Sequence, residues 1–330
     1  MFFKNRWIFV ACMVIGVSTS VSGQISGFDK VGTTSFTFLQ VVPNARVSAM
    51  GGVYTVTLNT SEAAFFNPAG LTRASDLGVS ISYLDWFIDV KISSVSMNYR
   101  LGRLGSLGVQ AMFIDMGEIE ETQVAYLQRD NETGYYNPGL TGNLISPGAY
   151  VVGLSFARDV TERFTFGLTA KYAREDLVEK SASALIFDGG VIYRTGYRSL
   201  VIGTALRNFG KEIKYYSKSY PLPQTFTIGI SGCLFAPDEA MFFQIPNQKL
   251  LMAFDLSQTR DHSQQQHIGI EYSFNDLIFL RGGYKFNHDE ENLTLGFGVS
   301  MFRLRMDYAY NDFGEYLSNV HRFTLGFDFK

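Results

Sequence analysis

From Leu77 to the end of the chain, apolar and polar residues alternate with a period of two in segments of about ten residues, the length of a tilted strand that crosses a bilayer. The closing segment is the clearest. Phe323, Leu325, Phe327 and Phe329 fall on one face, and Arg322, Thr324, Gly326, Asp328 and Lys330 on the other. Just upstream, Leu293, Leu295, Phe297, Val299 and Met301 oppose Thr294, Gly296, Gly298 and Ser300. Leu304, Met306, Tyr308 and Tyr310 likewise oppose Arg305, Asp307 and Asn311, which predicts a tight hairpin across Phe302 and Arg303. Similar segments at 77–84, 92–100, 106–116, 148–158, 164–174, 183–194, 199–209, 225–235, 250–258, 266–274 and 278–286 bring the total to about fourteen, an even number as in single-chain bacterial barrels.

Connection lengths point the same way, because outer-membrane barrels alternate short periplasmic turns with longer extracellular loops. The short set is 101–105, 159–163, 195–198, 275–277 and 302–303, whereas 117–147, 208–224 and 311–320 are long and carry Tyr135, Tyr136, Tyr215, Tyr216 and Tyr316. The stretch 236–249 breaks the alternation and marks a neighbourhood where a strand is open to misassignment. A soluble β-sandwich also alternates, but its strands run about 5 to 6 residues. Glycines on the polar face and aromatics on the other favour the barrel.

Composition narrows the class further. Charged residues are 18% and aromatics 15% of the chain, where a soluble domain carries about a quarter charged. A net charge of −3 offers no basic excess to neutralise phosphates, which argues against nucleic acid as a partner. Lys4 and Arg6 precede an uncharged apolar run from Trp7 to Val17, and Val21-Ser22-Gly23 sets small residues at −3 and −1 of a signal-peptidase site. Residues 1–23 therefore read as a signal peptide, with Gln24 opening the mature chain. The apolar run is too short to anchor in a membrane, and Cys12 lies too early in it for a lipoprotein. After Gln24 nothing approaches 18 consecutive apolar residues, so helical spans are not expected. Cys233 is then the only cysteine, leaving neither an intrachain disulfide nor a cysteine zinc site.

Residues 24–76 break the strand pattern and read as an N-terminal hatch with short helices, followed by a barrel over 77–330. Thr60 or Ser61 suits a helix start, and Asn67-Pro68 ends that helix in a turn. The segments Phe38-Leu39, Asn44-Ala45-Arg46, Ala49-Met50-Gly51-Gly52 and Ala64-Phe65-Phe66-Asn67-Pro68-Ala69-Gly70-Leu71 resemble, in order and spacing, the N-terminal signature of the PorV/PorQ family. That resemblance implies a FadL-like outer-membrane barrel of fourteen strands with an N-terminal hatch. It also implies a role in type IX protein secretion, with exported cargo proteins or other secretion components as partners. Arg46, Met50, Gly51, Gly52, Asn67, Pro68, Ala69 and Gly70 are its hatch motif. The alternative within the same fold is a FadL-like channel for hydrophobic small molecules. Phe323, Leu325, Phe327 and Phe329 resemble the aromatic C-terminal signal read by the outer-membrane insertion machinery, and lipid is the other expected partner.

No enzyme signature is present: the chain has no Gly-x-Ser-x-Gly elbow, no His-Glu-x-x-His and no phosphate-binding glycine loop, and no cofactor is implied. His262, His267, His288 and His321 are not paired at metal-ligand spacing. Asp289-Glu290-Glu291 and Glu118, Glu120 and Glu121 are acidic loops that read as solvated rather than as calcium sites. Arg281, Lys285, Arg303 and Arg305 are expected on the lumen face or the lower rim, pairing with lumen carboxylates.

Overall fold

A computed structural model describes residues 30–131, 134–288, 291–314 and 319–329. The signal peptide, Tyr316 and the Asp289-Glu290 pair lie outside them. Fourteen long strands form the wall: β1 (Leu77–Asp85), β2 (Lys91–Arg100), β3 (Ser106–Asp115), β4 (Gly148–Asp159), β5 (Phe164–Leu177), β6 (Lys180–Arg194) and β7 (Val201–Gly210) are the first seven. They are followed by β8 (Thr225–Ala236), β9 (Gln248–Thr259), β10 (Gln265–Phe274), β11 (Ile278–Phe286), β12 (Leu293–Met301), β13 (Leu304–Asn311) and β14 (Val320–Phe329). Each strand pairs antiparallel with its chain neighbour, and β14 returns to β1 with Leu325 opposite Ile81. The wall is thus a closed fourteen-stranded antiparallel barrel with no free edge, the only sheet arrangement that leaves no unpaired backbone in lipid.

Alternation decides which side chains face out. On β14, Phe323 and Phe327 are exposed while Arg322, Thr324 and Gly326 are buried. On β13, Arg305, Asp307, Ala309 and Asn311 are the buried set. The outer belt collects Leu154, Leu168, Leu185, Leu280, Leu295, Phe297 and their neighbours, all exposed. No helix among the described residues is long and apolar enough to cross a membrane, so the crossing is made by strands alone.

The loop pattern departs from expectation in two places. The end opposite the C-terminus is not uniformly long-looped, since β5 and β6 are joined by Val178 and Glu179 alone. The stretch 236–249 hides no misassigned strand. There β8 overhangs the start of β7, whose last partner is Ser231, and the connection folds back so that Phe243–Gln244 pairs in parallel with Phe235 and Ala236. The odd loop thus covers backbone that would otherwise be an unpaired edge.

Residues 30–76 run through the lumen from one mouth to the other. At the loop end Lys30 N–H donates to the Asp261 carbonyl (3.0 Å) and Ser35 N–H to the Pro221 carbonyl (2.9 Å). At the turn end Arg100 N–H donates to the Asp76 carbonyl (2.8 Å). Between them lie two short helices, α1 (Ala45–Ala49) and α2 (Ala63–Phe66), and a 3-10 turn at Pro68–Arg73. Asn44 caps α1, its side chain accepting from Val47 N–H at 2.8 Å.

Replacing Phe327 and Phe329 with Asp puts two carboxylates on the lipid side of the seam strand and weakens the pairing that closes the ring. The barrel is then expected to disappear from the membrane fraction as a heat-modifiable species on electrophoresis, since each unpaired backbone group in lipid costs several kcal/mol. Unaltered heat-modifiable barrel would contradict this role of the strand.

Candidate functional site

The lumen has two chemically different sides, and the plug meets each with matching residues. On the β9–β14 side, charges face inward in alternating sign. Arg46 on α1 holds Glu271 through two nitrogens at 2.8 and 2.9 Å, and Arg281 Nε donates to the same carboxylate at 2.6 Å. The other end of the Arg281 guanidinium reaches Asp307 at 2.7 Å, and Asp307 lies 3.0 Å from Arg305 Nε. Arg305 donates to Glu62 just ahead of α2, and Glu62 accepts from Asn44 at 3.0 Å.

Three cations and three anions therefore form one buried line that begins and ends on the plug. Buried ions persist only when paired and hydrogen-bonded, so alternation of sign is the arrangement this interior permits. Burial works against the charge on Glu62. Arg305 and the Thr60 hydroxyl override it, so the carboxyl ionises below the ordinary carboxylate range.

On the β1–β6 side the lumen wall is apolar toward the loop end, where Leu84, Ile92, Met112, Ile114, Val151 and Ile186 face in and are buried, and polar below, where Ser82, Ser94, Gln110 and Ser155 do. Phe36, Phe38, Leu39, Phe65 and Phe66 of the plug pack against the apolar set. Arg207 closes this core, its guanidinium 5.3 Å above the Tyr54 ring and 5.2 Å above Phe66. Beside it Lys171 and Asp188 pair at 2.6 Å, at the point where the β6–β7 register slips.

The hatch motif residues lie along this path. Gly51 and Gly52 take positive φ (69° and 81°), and Gly51 N–H donates to Thr294 Oγ1 at 2.9 Å. A side chain on Gly51 would strike the Ile268 carbonyl and the Tyr284 amide, so both its conformation and its closeness to the wall require glycine. Met50 is fully buried against Gly269. Asn67 donates to the Thr55 carbonyl (2.7 Å) and accepts from Ala69 N–H (3.2 Å), and Pro68 opens the 3-10 turn.

Gly70 packs against Leu58 and Ala63 within the plug. Close approach to the wall is provided by barrel glycines: Gly190 admits the Asn67 amide, Gly167 the backbone at Pro68 and Ala69, and Gly283 the backbone at Gly51.

Sequence spacing missed two placements. His267 and His288 come together with ring centroids 5.2 Å apart, His267 Nδ1 lying 2.8 Å from the Gly51 carbonyl. No cluster of three or more candidate metal ligands occurs among the described residues. Glu62 is the other: in the sequence it is a lone acid near a helix start, and only the fold sets it against Arg305. Of the late-strand cations, Lys285 pairs with Glu291 at 2.5 Å, while Arg303 sits in the β12–β13 turn with its guanidinium 5.4 Å from the Phe329 ring.

A closed wall with an apolar outer belt and a plugged lumen defines an integral outer-membrane β-barrel. Its fold is FadL-like. The Ralstonia pickettii toluene transporter TbuX superposes with a TM-score of 0.58 at 14% identity, covering 90% of this chain and 100% of that one. The CymD monoaromatic hydrocarbon channel gives 0.53 at 12% (89% and 99% covered), and the Pseudomonas putida toluene transporter TodX 0.52 at 13% (85% and 95%). Identities this low speak to fold and not to cargo. No protein-family model and no curated relative matches the sequence.

Replacing Arg305 with Met strands Glu62 without its cation and leaves Asp307 with one partner in place of two. The expected loss is about 3–5 kcal/mol of plug docking, seen as rapid proteolysis of the N-terminal segment in a barrel that remains heat-modifiable. Adding Glu62→Gln should recover part of the protection. Equal protease resistance in all three forms would show that the charged line does not hold the plug.

Proposed function

We propose that this chain is an outer-membrane conduit for small apolar molecules entering at the loop end. The observation that carries the reading is the apolar stretch of lumen wall at the loop end of the β1–β6 side, because a lumen that only held water or polar solute would be polar at those positions. Its fold-mates include barrels described as toluene transporters and a monoaromatic hydrocarbon channel.

In the plugged form the route is occupied by Phe36, Phe38 and Leu39. Beside Gln110, Met112 and Val151 the remaining space is about 20 Å³, room for about one water molecule. A monoaromatic guest therefore needs residues 36–42 to withdraw from the wall.

A second reading rests on the PorV/PorQ resemblance and on a different surface. Between β3 and β4 the chain makes a long excursion, with Ile119–Thr122 pairing against Leu140–Ile145 above the barrel. It exposes Val124, Tyr126, Tyr135, Tyr136 and Leu144 to water, which suits the docking of exported proteins in type IX secretion.

One strain set separates the two. Cells lacking the gene are expected to accumulate radiolabelled toluene more slowly, with restoration by the wild-type gene but not by Met112→Asp plus Ile114→Asp. Unchanged uptake together with a loss of secreted proteins that is reproduced by Tyr135→Ser plus Tyr136→Ser would overturn the conduit in favour of the second reading.

A further inference from the structure

Below the plug, at the short-turn end, lies a cavity of about 560 Å³ that plays no part in either reading above. Its roof is the plug, which presents Arg46 and Arg73; its walls are the ends of β6 and β8 and the starts of β7 and β9, which add Arg194, Arg198 and Lys249. Two of these five cations are engaged elsewhere, Arg46 with Glu271 and Arg194 with Asp159 at 3.4 Å. Arg73, Arg198 and Lys249 make no ion pair among the described residues.

Two further features set this cavity apart from a solvated basic rim. Arg194 is one of the lining residues, and its Nε is buried with no hydrogen-bond partner. Burial weighs most against the charge on Arg73, and the repulsion of Arg194 and Arg46 adds to it against a smaller attraction from Asp159. Like charges gathered around one space with fewer counter-charges are unfavourable, and an orphaned buried N–H adds to the cost. Both are relieved by one anion with several acceptor oxygens. Asp238 and Glu239, on the loop that folds back beneath β8, also line the cavity. Neither pairs with a lining cation among the described residues, and they leave an excess of positive charge.

We propose that this vestibule binds a phosphate group, with Arg73 from the plug and Arg194, Arg198 and Lys249 from the wall as its donors. Guanidinium forks match phosphate oxygens in pairs, and three or four cations around one space suit a group that spreads its charge over several oxygens. The phosphate is either free in the periplasm or the headgroup of an inner-leaflet phospholipid. Because donors come from both plug and wall, the ligand clamps the one to the other, and this holds whether the barrel serves apolar molecules or exported proteins.

The test uses the full-length barrel in neutral detergent, titrated with inorganic phosphate against sodium chloride of equal ionic strength. Its melting is read by intrinsic fluorescence and its plug by protease resistance. A second arm compares nanodiscs of phosphatidylcholine with discs containing phosphatidylglycerol. Saturable stabilisation by phosphate, or stabilisation in the phosphatidylglycerol discs alone, is expected, the second outcome assigning the group to a lipid headgroup. Arg73→Gln plus Arg198→Gln should weaken the response at least tenfold. Lys249→Gln alone, which removes no existing ion pair, should weaken it less and keeps the test informative if the double variant does not assemble. A response equal in wild type and variants, or none in either arm, overturns the proposal.

Discussion

Everything inside this barrel has to be satisfied inside it, because the wall is one residue thick and its outer face belongs to lipid. The line of six charges from Arg46 to Glu62 is how the β9–β14 half meets that constraint. Neither the plug nor the wall is complete alone. The wall supplies Glu271, Arg281, Asp307 and Arg305, and without the plug this set would lack the terminal Arg46 and Glu62. The helix that carries Arg46 and the one that Glu62 precedes are each about one turn long, too short to be stable by themselves. Their conformation is therefore maintained by docking, and the docking by ionic alternation.

The opposite half meets the same constraint by exclusion. Around Met112, Ile114, Val151 and Ile186 the wall is mostly hydrocarbon, with Gln110 the buried polar exception, and the plug answers with phenylalanines. The lumen thus has an ionic side that fixes position and, toward the loop end of the opposite side, an apolar patch held by dispersion and burial. Displacing residues 36–42 breaks the Gln40–Asp261 and Arg322–Val42 hydrogen bonds but no link of the charged line, so the apolar patch can change occupant while Arg46 and Glu62 stay in place.

The barrel was legible because its signal is local and repeated. Period-two alternation survives in every segment, and all fourteen segments marked in the sequence are strands whose bounds move by only a few residues. What was not legible depends on neighbours far apart in the chain. Glu62 and Arg305 are 243 residues apart and Arg46 and Glu271 are 225 apart, and no spacing rule links them. His267 and His288 looked unrelated because they meet only through the register of the β10–β11 hairpin, which sets His267 opposite Lys285. The excursion at 236–249 looked like a misplaced strand because its partner is the overhang of β8, which appears only when the offset between β7 and β8 is known. Asn67 and Gly70 were legible as a turn, but the glycines that make room for it, Gly167 and Gly190, are in strands where they read only as small lumen residues.

The path of residues 30–76 has a topological consequence. They enter among the loops at one mouth, where Lys30 and Ser35 are tied to Asp261 and Pro221, and leave at the other, where Asp76 meets Arg100. The fourteen strands then close at the β1–β14 seam around that same stretch of chain. The molecule is a ring threaded by its own leading segment, closer to a rotaxane than to a bottle with a cork. A cork can be drawn as a unit, whereas a thread is released only by pulling its length through or by parting the ring. Partial withdrawal at one mouth, with the other end still held, is the motion such a linkage allows most readily.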